Sequence, residues 1–490
     1  MTVPTQPGPS LTAPQPWTAP LAPVPIRATV SLPGSKSETN RALLLAALAN
    51  APSTIRNGLE ARDTRLMRQA LRALGVLIDE DEDGWHIQPP GQFSAPAEID
   101  CGLAGTVMRF VPALAALATG TVRFVGDPVI GSDGAATSRP MRPLLDGLRS
   151  LGVVIDGDAL PFTLTGNPRL VTADGRSGSP REVEIDASTS SQYVSALLLV
   201  GARLAGGLAL WHSGGRLPST PHIDMTVGML RARGVQIDQA DPAEGCGWRV
   251  HPGEIQAVDI SIAPDLSNAA PFLAAAAVTH GEVTILGWPT DTAQPGDQLR
   301  HILRQFGADV DFDDSAGPDG GLTVTGKGRL NGIDADLSEA SELTPVVAAV
   351  AALADSTSKL TGIGHIRGHE TDRLAALRRN IEALGGKVTE HADGITIHPR
   401  LLRSGDWSSF ADHRVAQAGA VIGLLIDDLV IDDIDCTAKT MPDFPSLWQD
   451  MIDAAVESSN DEMVAETPGH GGVGAYDPVD DPESSGAFDR

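Results

Sequence analysis

A chain of 490 residues with a formal net charge of −27 offers little to an anionic partner, which excludes nucleic acid and acidic membrane surfaces as obvious ligands. Aromatics make up only 4% of it, too few for base stacking, whereas 42% hydrophobic residues can fill more than one core. Cys101, Cys246 and Cys436 are widely spaced with no CxxC pair, which fits a reducing cytoplasm, and no apolar run reaches the ~18 residues of a membrane span.

Residues 1–24 are rich in Pro and Thr, lack periodicity and lack a secretory signal; they are expected to be a disordered tail. A strand-like run, Ile26–Ser31, then leads into Leu32-Pro33-Gly34-Ser35-Lys36-Ser37-Glu38-Thr39-Asn40-Arg41. Pro and Gly break the strand, Ser35 or Ser37 can cap the helix that follows, and Lys36 and Arg41 flank its start. Backbone N–H groups, a positive helix end and two cations at one spot predict an anion site. Lys36 is not a nucleotide-binding phosphate-loop lysine, because Ser35 separates it from Gly34.

From there the chain repeats itself. Leu71-Arg72-Ala73-Leu74-Gly75 is followed by Leu148-Arg149-Ser150-Leu151-Gly152 and by Leu230-Arg231-Ala232-Arg233-Gly234. Looser copies end at Gly307 and Gly385, a period of about 75–80 residues. Each copy reads as an amphipathic helix closed by a glycine and followed by a strand. Interleaved with these are small, apolar helical runs at Arg41–Ala49, Thr106–Ala118, Gln192–Leu204, Asn268–Val278, Thr344–Ala354 and His413–Leu425, apolar almost all round and so expected to be buried. The result is six units of two helices and about four strands, the last closing on a helix near Pro445–Ala454. Six buried helices exceed one ordinary core, so two cores of three units are expected, with a boundary near Gln256–Asp259. From Glu457 a second, acidic tail begins.

Unusual polar residues gather where the buried helices start: Lys36, Ser37 and Arg41; Gly105, Thr106 and Arg109; Ser190, Ser191 and Gln192; Asp265 and Asn268; Ser341 and Glu342; Asp412, His413 and Arg414. Ordinary N-caps explain the Ser, Asp and Asn residues, but cations near positive helix ends call for an anion. His365, His369 and Glu370 could suggest a metal, but their Gly-rich loop gives an i,i+4 pair no common face, and no Cys lies nearby.

Taken in order, Leu32–Ser37 with Asn40 and Arg41, Ala104-Gly105-Thr106 with Arg109, Ser190-Ser191-Gln192, Glu370-Thr371-Asp372-Arg373, Asp412-His413-Arg414 and Cys436-Thr437-Ala438-Lys439-Thr440 closely resemble the 5-enolpyruvylshikimate-3-phosphate synthases, members of the enolpyruvyl transferase family. The resemblance covers about Pro25 to Ala455. It implies an α/β, two-domain enolpyruvyl transferase fold, an inside-out α/β barrel of six βαβαββ repeats, three per domain, with buried parallel helices aimed at the interdomain cleft. It also implies that the chain crosses between domains twice. Residues 25–34 and 258–455 would form one domain and 35–257 the other, with tails at 1–24 and 456–490.

The implied activity moves the enolpyruvyl group of phosphoenolpyruvate onto the 5-hydroxyl of shikimate 3-phosphate by addition and elimination, on the pathway to chorismate and the aromatic amino acids. A pair of acids suffices, so no metal or redox cofactor is implied. The resemblance also implies glyphosate as an inhibitor, a cytoplasmic location and a monomer. Carried over by position, Lys36 touches both substrates. Ser37, Arg41, Ser190, Ser191, Gln192 and Ser219 hold shikimate 3-phosphate, with His365 and His369 beside it. Gly105, Arg139, Gln192, Arg373, Arg414 and Lys439 surround phosphoenolpyruvate. Glu342 is the base at the 5-hydroxyl, and Glu370 with Lys439 serves the methylene carbon. This chain departs from the family at Leu103 and at His222, His365 and His369, where Asn, Tyr, Asn and Lys are usual, at Glu342 in place of Asp, and at Phe110 in place of Pro. Two rivals remain at this stage: the sister transferase acting on UDP-N-acetylglucosamine, which uses a loop Cys as acid, and a non-catalytic phosphate-ligand binder, which would not need Glu342 and Glu370.

Overall fold

The structure, a computed structural model, describes residues 15–126, 140–171, 178–240, 245–313 and 320–466. The helices of the first half are α1 (Lys36–Leu48), α2 (Arg62–Ala73), α3 (Gly105–Ala115), α4 (Arg142–Ser150), α5 (Gln192–Gly201) and α6 (Pro221–Arg231). Those of the second half are α7 (Ala270–Thr279), α8 (Leu299–Phe306), α9 (Thr344–Ala352), α10 (Arg373–Ala383), α11 (His413–Gly423) and α12 (Phe444–Glu466). The odd-numbered helices are buried on nearly every side, and their Ala, Leu and Val content allows it. The even-numbered helices α2, α4, α8 and α10 bury one face and expose Arg, Glu and Asp on the other. Gly307 shows how these outer helices stop: its φ of 103° reverses the chain, which a Cβ would resist.

Each unit carries a small sheet built in one way. In the third, Arg181–Ile185 pairs parallel with Leu208–His212, which pairs antiparallel with Cys246–Val250. The described residues form five four-stranded sheets and one three-stranded sheet, each separate. Among the described residues they do not join into a closed barrel, so the barrel in the expected description is only the ring of sheets around inner helices. The buried hydrophobic side chains form two clusters, one dominated by residues 42–255 and the other by residues 266–455.

The chain exchanges one strand between the halves at each crossing. Arg27–Val30 lies parallel to Glu282–Leu286 of the second half, with Arg27 opposite Glu282. Ile260–Ser261 lies parallel to Ser53–Arg56 of the first half, with Ile260 opposite Ile55. The expected limit at 257/258 is therefore too early, because two more residues still serve the first half's sheet before the chain leaves it. The two crossing segments hold each other: Ser35 N–H donates to Ala263 O at 2.8 Å and Asp265 N–H to Pro33 O at 3.0 Å. Gly34 is needed here, since a Cβ would meet Asn57 O at 2.1 Å.

Each expected tail contains regular structure. Trp17–Thr18 pairs antiparallel with Leu429–Ile431, giving the sixth sheet its third strand, because Trp17 finds a partly buried seat that a Pro-rich composition conceals. At the other end, α12 continues to Glu466, eleven residues past Ala455, its last core residue named in the second cluster. The remaining tail residues lie outside the described residues.

Candidate active site

The inner helices point their N-termini into one cleft of about 430 Å³ between the halves. Its lining comes from both: Ser35, Lys36, Ser37, Gly105, Thr106, Arg109, Ser188–Gln192, Pro218, Ser219 and His222 on one wall; Asp265, Gln294, Glu342, His365, His369, Glu370, Arg414 and Lys439 on the other.

On the first wall, Ser35 caps α1 by accepting from Glu38 N–H at 3.4 Å. Lys36 reaches the cleft from the first turn, 3.8 Å from the buried Asp63 carboxylate. Asn40 donates to Thr106 Oγ1 at 2.8 Å and Arg109 donates to Gln192 Oε1 at 2.8 Å, so the starts of α1, α3 and α5 are tied by polar side chains. Arg41 does not open onto the cleft. It is 1% exposed, donates to Thr226 Oγ1, Ser37 O and His222 O, and lies over the Phe110 ring at 5.1 Å. Burial lowers its pKa to about 10. Its donors pin α1 to α6 and also reach Ser195 Oγ of α5 at 3.4 Å.

The second wall is a network of opposite charges. Arg373 is fully buried and donates from Nε to Asp412 Oδ2 at 2.7 Å, from Nη1 to Glu342 Oε2 at 3.0 Å and from Nη2 to Glu370 Oε2 at 3.1 Å. Lys439 Nζ donates to the other oxygen of Glu370. Arg414 donates to Asn268 Oδ1 at 3.0 Å and stands 3.7 Å from Glu342. The Asp412 side chain holds both ends of this arrangement, capping α11 through Arg414 N–H while gripping Arg373. Burial works to raise the pKa of Glu342, but the Arg373 guanidinium, with His369 and Arg414, outweighs it and holds the carboxyl well below the usual range. Glu342 is thus an ionised carboxylate at the cleft, able to accept a proton.

The three departures from the family that are histidines, His222, His365 and His369, all line this cleft. Burial, then the Arg41 charge, pushes His222 down to about 4; burial, then Arg373, pushes His369 down to about 3; burial lowers His365 as well. All three are neutral near pH 7. His369 Nδ1 accepts from Arg373 at 3.2 Å, and His365 Nε2 pairs with Ser341 Oγ at 3.0 Å.

Of the sequence-predicted residues, Lys36, Ser37, Gly105, Ser190, Ser191, Gln192, Ser219, Glu342, His365, His369, Glu370, Arg414 and Lys439 come together in the cleft lining. Arg373 is not in that lining; it is fully buried against the carboxylates it holds. Arg139 falls outside the described residues. Sequence reasoning missed Asp63, which looks like an ordinary acid in a first helical turn yet supports Lys36. It also read Asp265 as a simple cap, although its carboxylate accepts from both Asn268 N–H at 3.0 Å and Lys36 N–H at 3.1 Å, joining the halves. Among the described residues no group of three or more His, Cys, Asp or Glu could hold a metal ion, and no helix is long and apolar enough to cross a membrane.

Fold and cleft together set cation-bearing helix ends opposite a pair of acids, an arrangement suited to a transferase of anionic substrates. A model of the EPSP synthase (3-phosphoshikimate 1-carboxyvinyltransferase) family matches residues 21–448. An EPSP synthase structure from Acinetobacter baumannii is similar over 89% of this chain and 98% of its own, with a TM-score of 0.72 at 24% identity. The enolpyruvyl transferase NikO from Streptomyces tendae is similar over 89% of this chain and 98% of its own, with a TM-score of 0.68 at 19% identity. These likenesses show the fold. The family match reaches further: the chain belongs to the EPSP synthase family. Its reaction is the family's, the 3-phosphoshikimate 1-carboxyvinyl transfer of the shikimate pathway.

Proposed function

We propose that the residues of this cleft divide the reaction as follows. Lys36 contacts both substrates from the start of α1, and the hydroxyls of Ser190, Ser191 and Ser219 hold the phosphate of shikimate 3-phosphate. Arg414, Lys439 and the Gly105 end of α3 hold phosphoenolpyruvate, with Arg139 completing that subsite. Glu342 takes the proton of the 5-hydroxyl as its oxygen bonds to C2 of phosphoenolpyruvate. Glu370, hydrogen-bonded to Lys439, delivers a proton to C3. In the tetrahedral intermediate C3 is a methyl group; its loss of a proton back to Glu370 and departure of phosphate from C2 restore the double bond, and the proton held by Glu342 leaves with the phosphate.

The observation that carries this reading is Arg373 holding Glu342 and Glu370 at once, 3.0 and 3.1 Å away, so both acids are fixed on one wall facing Lys36 and the hydroxyls. Cys101, Cys246 and Cys436 do not line the cleft, and burial pushes the Cys101 thiol up to about 12, which weighs against the sister reaction with a cysteine acid. We infer further that glyphosate competes at the phosphoenolpyruvate subsite and that the enzyme works in the cytoplasm as a monomer, since one chain supplies both walls. The test is phosphate release from phosphoenolpyruvate with each acceptor in turn. Release with shikimate 3-phosphate and none with UDP-N-acetylglucosamine is expected; no release with shikimate 3-phosphate overturns the reading.

A further inference from the structure

Five hydrogen bonds cross the cleft between the segment 216–220, which leads into α6, and the segment 336–341, which leads into α9. Arg216 donates from Nη2 to Ser338 Oγ at 2.6 Å and from Nη1 to Asp336 Oδ2 at 3.3 Å. Ser219 N–H donates to Ser338 O at 3.2 Å, and its hydroxyl pairs with Ser341 Oγ at 3.3 Å. Thr220 Oγ1 donates to Glu339 Oε2 at 2.5 Å.

At the centre of these contacts Ser219 has a φ of 52°, in the left-handed region that a serine enters only at a cost. The surroundings hold it there from both sides: its N–H is taken by Ser338 O of the second half, and its C=O accepts from His222 N–H at 3.1 Å within the first. The Ser219 side chain lines the cleft, whereas Arg216 and Glu339 do not. Asp336 Oδ1 accepts from Ser338 N–H at 2.9 Å and so fixes the turn that presents the Ser338 carbonyl. Arg216 and Asp336 are largely exposed, so their ion pair alone contributes little; the Arg216–Ser338 bond and the Thr220–Glu339 bond bracket Ser219 on either side.

We propose that the phosphate end of the acceptor site is completed across the cleft: the 336–341 segment locks Ser219 in the left-handed conformation that presents its hydroxyl to the acceptor's phosphate, and Arg216 and Glu339 are the positioning residues of that lock. This rests on the reading above that Ser219 binds that phosphate. It makes acceptor affinity a property of both halves. It also ties the phosphate to the base, because Glu342 directly follows Ser341, whose hydroxyl joins Ser219 to His365.

The test is steady-state kinetics on the full chain for Arg216→Ala, Glu339→Ala, their combination, and Ser219→Ala, with thermal unfolding as a check on folding. The double variant is expected to raise KM for shikimate 3-phosphate about tenfold while KM for phosphoenolpyruvate stays within about twofold, since only orientation of the acceptor is lost. Glu339→Gln, which keeps an acceptor for Thr220, is expected to recover most of the Glu339→Ala loss. A double variant with unchanged KM for shikimate 3-phosphate, beside a Ser219→Ala variant with raised KM, overturns the lock and leaves the phosphate placement standing. Equal losses toward both substrates overturn the lock as well, by showing general damage to the fold. An unaffected Ser219→Ala variant overturns the phosphate placement and the lock together.

Discussion

The two walls of the cleft are built from the same repeat and work by different means. The first presents hydroxyls, an amide and helix ends around Lys36, and its buried Arg41 is satisfied by neutral acceptors. The second presents Glu342, Glu370, Arg373, Asp412, Arg414 and Lys439, each within reach of an opposite charge. Neutral donors hold a phosphate by geometry and need no balancing, so their loss is local. Balanced charges in a buried network depend on one another: Glu342 is kept ionised, and both Glu342 and Glu370 are kept in place, only while their partners stay. On the proposed assignment of roles, recognition of the acceptor and proton transfer fall on opposite sides, and variants on each wall should fail in different ways.

The largest effect is expected at Arg373. Replacing it by Met leaves the fully buried Asp412 and the two acids without their shared cation, which should cost about 3–5 kcal/mol of stability in a denaturant titration and abolish turnover. Arg373→Lys should rescue little, because one ammonium cannot bridge three carboxylates as the planar guanidinium does. A loss under about 1 kcal/mol, the scale of an exposed pair, would remove the distinction between the walls.

Glu342→Ala comes next. Turnover should fall at least ~100-fold, the scale of a lost acid–base group, while binding of shikimate 3-phosphate by calorimetry stays within a few-fold. If affinity and turnover fell together, Glu342 would be part of acceptor recognition, and the division of labour would be wrong on the second wall.

One histidine on each wall supplies a pH test. The folded pKa values of His222 and His369 lie at about 4 and about 3, below the ordinary 6.5. Below pH 6.5 the unfolded chain binds more protons, so stability falls as pH drops toward those values. The slope should approach ~1.4 kcal/mol per pH unit for each histidine. The depressed Glu342 carboxyl acts lower: its contribution is present above about 4.5 and is lost only as pH falls through its folded value. Denaturant midpoints between pH 6.5 and 5 should therefore decline in the native enzyme and flatten progressively in His222→Gln and His369→Gln. Burial raises the Glu38 carboxyl to about 7, which works the other way over this range, so the difference decides: variant slopes equal to the native slope would show that the two rings titrate alike in the folded and unfolded chain.

Much of this was legible in the sequence because it is written in local patterns. Buried helices announce themselves by apolar residues all round, outer helices by the Leu-Arg-x-x-Gly ending, and anion-binding ends by Ser, Gly and Lys at the break before a helix. What stayed hidden was set by distant partners. Nothing near Arg41 reveals that it donates to Thr226 and to the His222 carbonyl, about 180 residues on. Nothing near Trp17 foretells that Ile431 offers it a strand edge. Asp265 is a plain cap in its own segment, and only the crossing of the chain brings Lys36 N–H to it. Residues that line the cleft were found; residues that hold them in place were missed, because support depends on packing between units far apart in the chain.

The smallest expected effect sharpens the comparison most. Ser190 lines the first wall and has no charge to unbalance. Removing its hydroxyl in Ser190→Ala should raise KM for shikimate 3-phosphate about fivefold, the scale of one net hydrogen bond of ~1 kcal/mol. Turnover, KM for phosphoenolpyruvate and stability should stay within experimental error. The contrast with Arg373→Met is then one of kind as well as size: one substitution weakens a single subsite, the other collapses a network. A Ser190→Ala variant that lost turnover while holding its KM would mean that the hydroxyl wall strengthens its grip only as the bond to C2 forms, and the first wall would join the second as part of the chemical machinery.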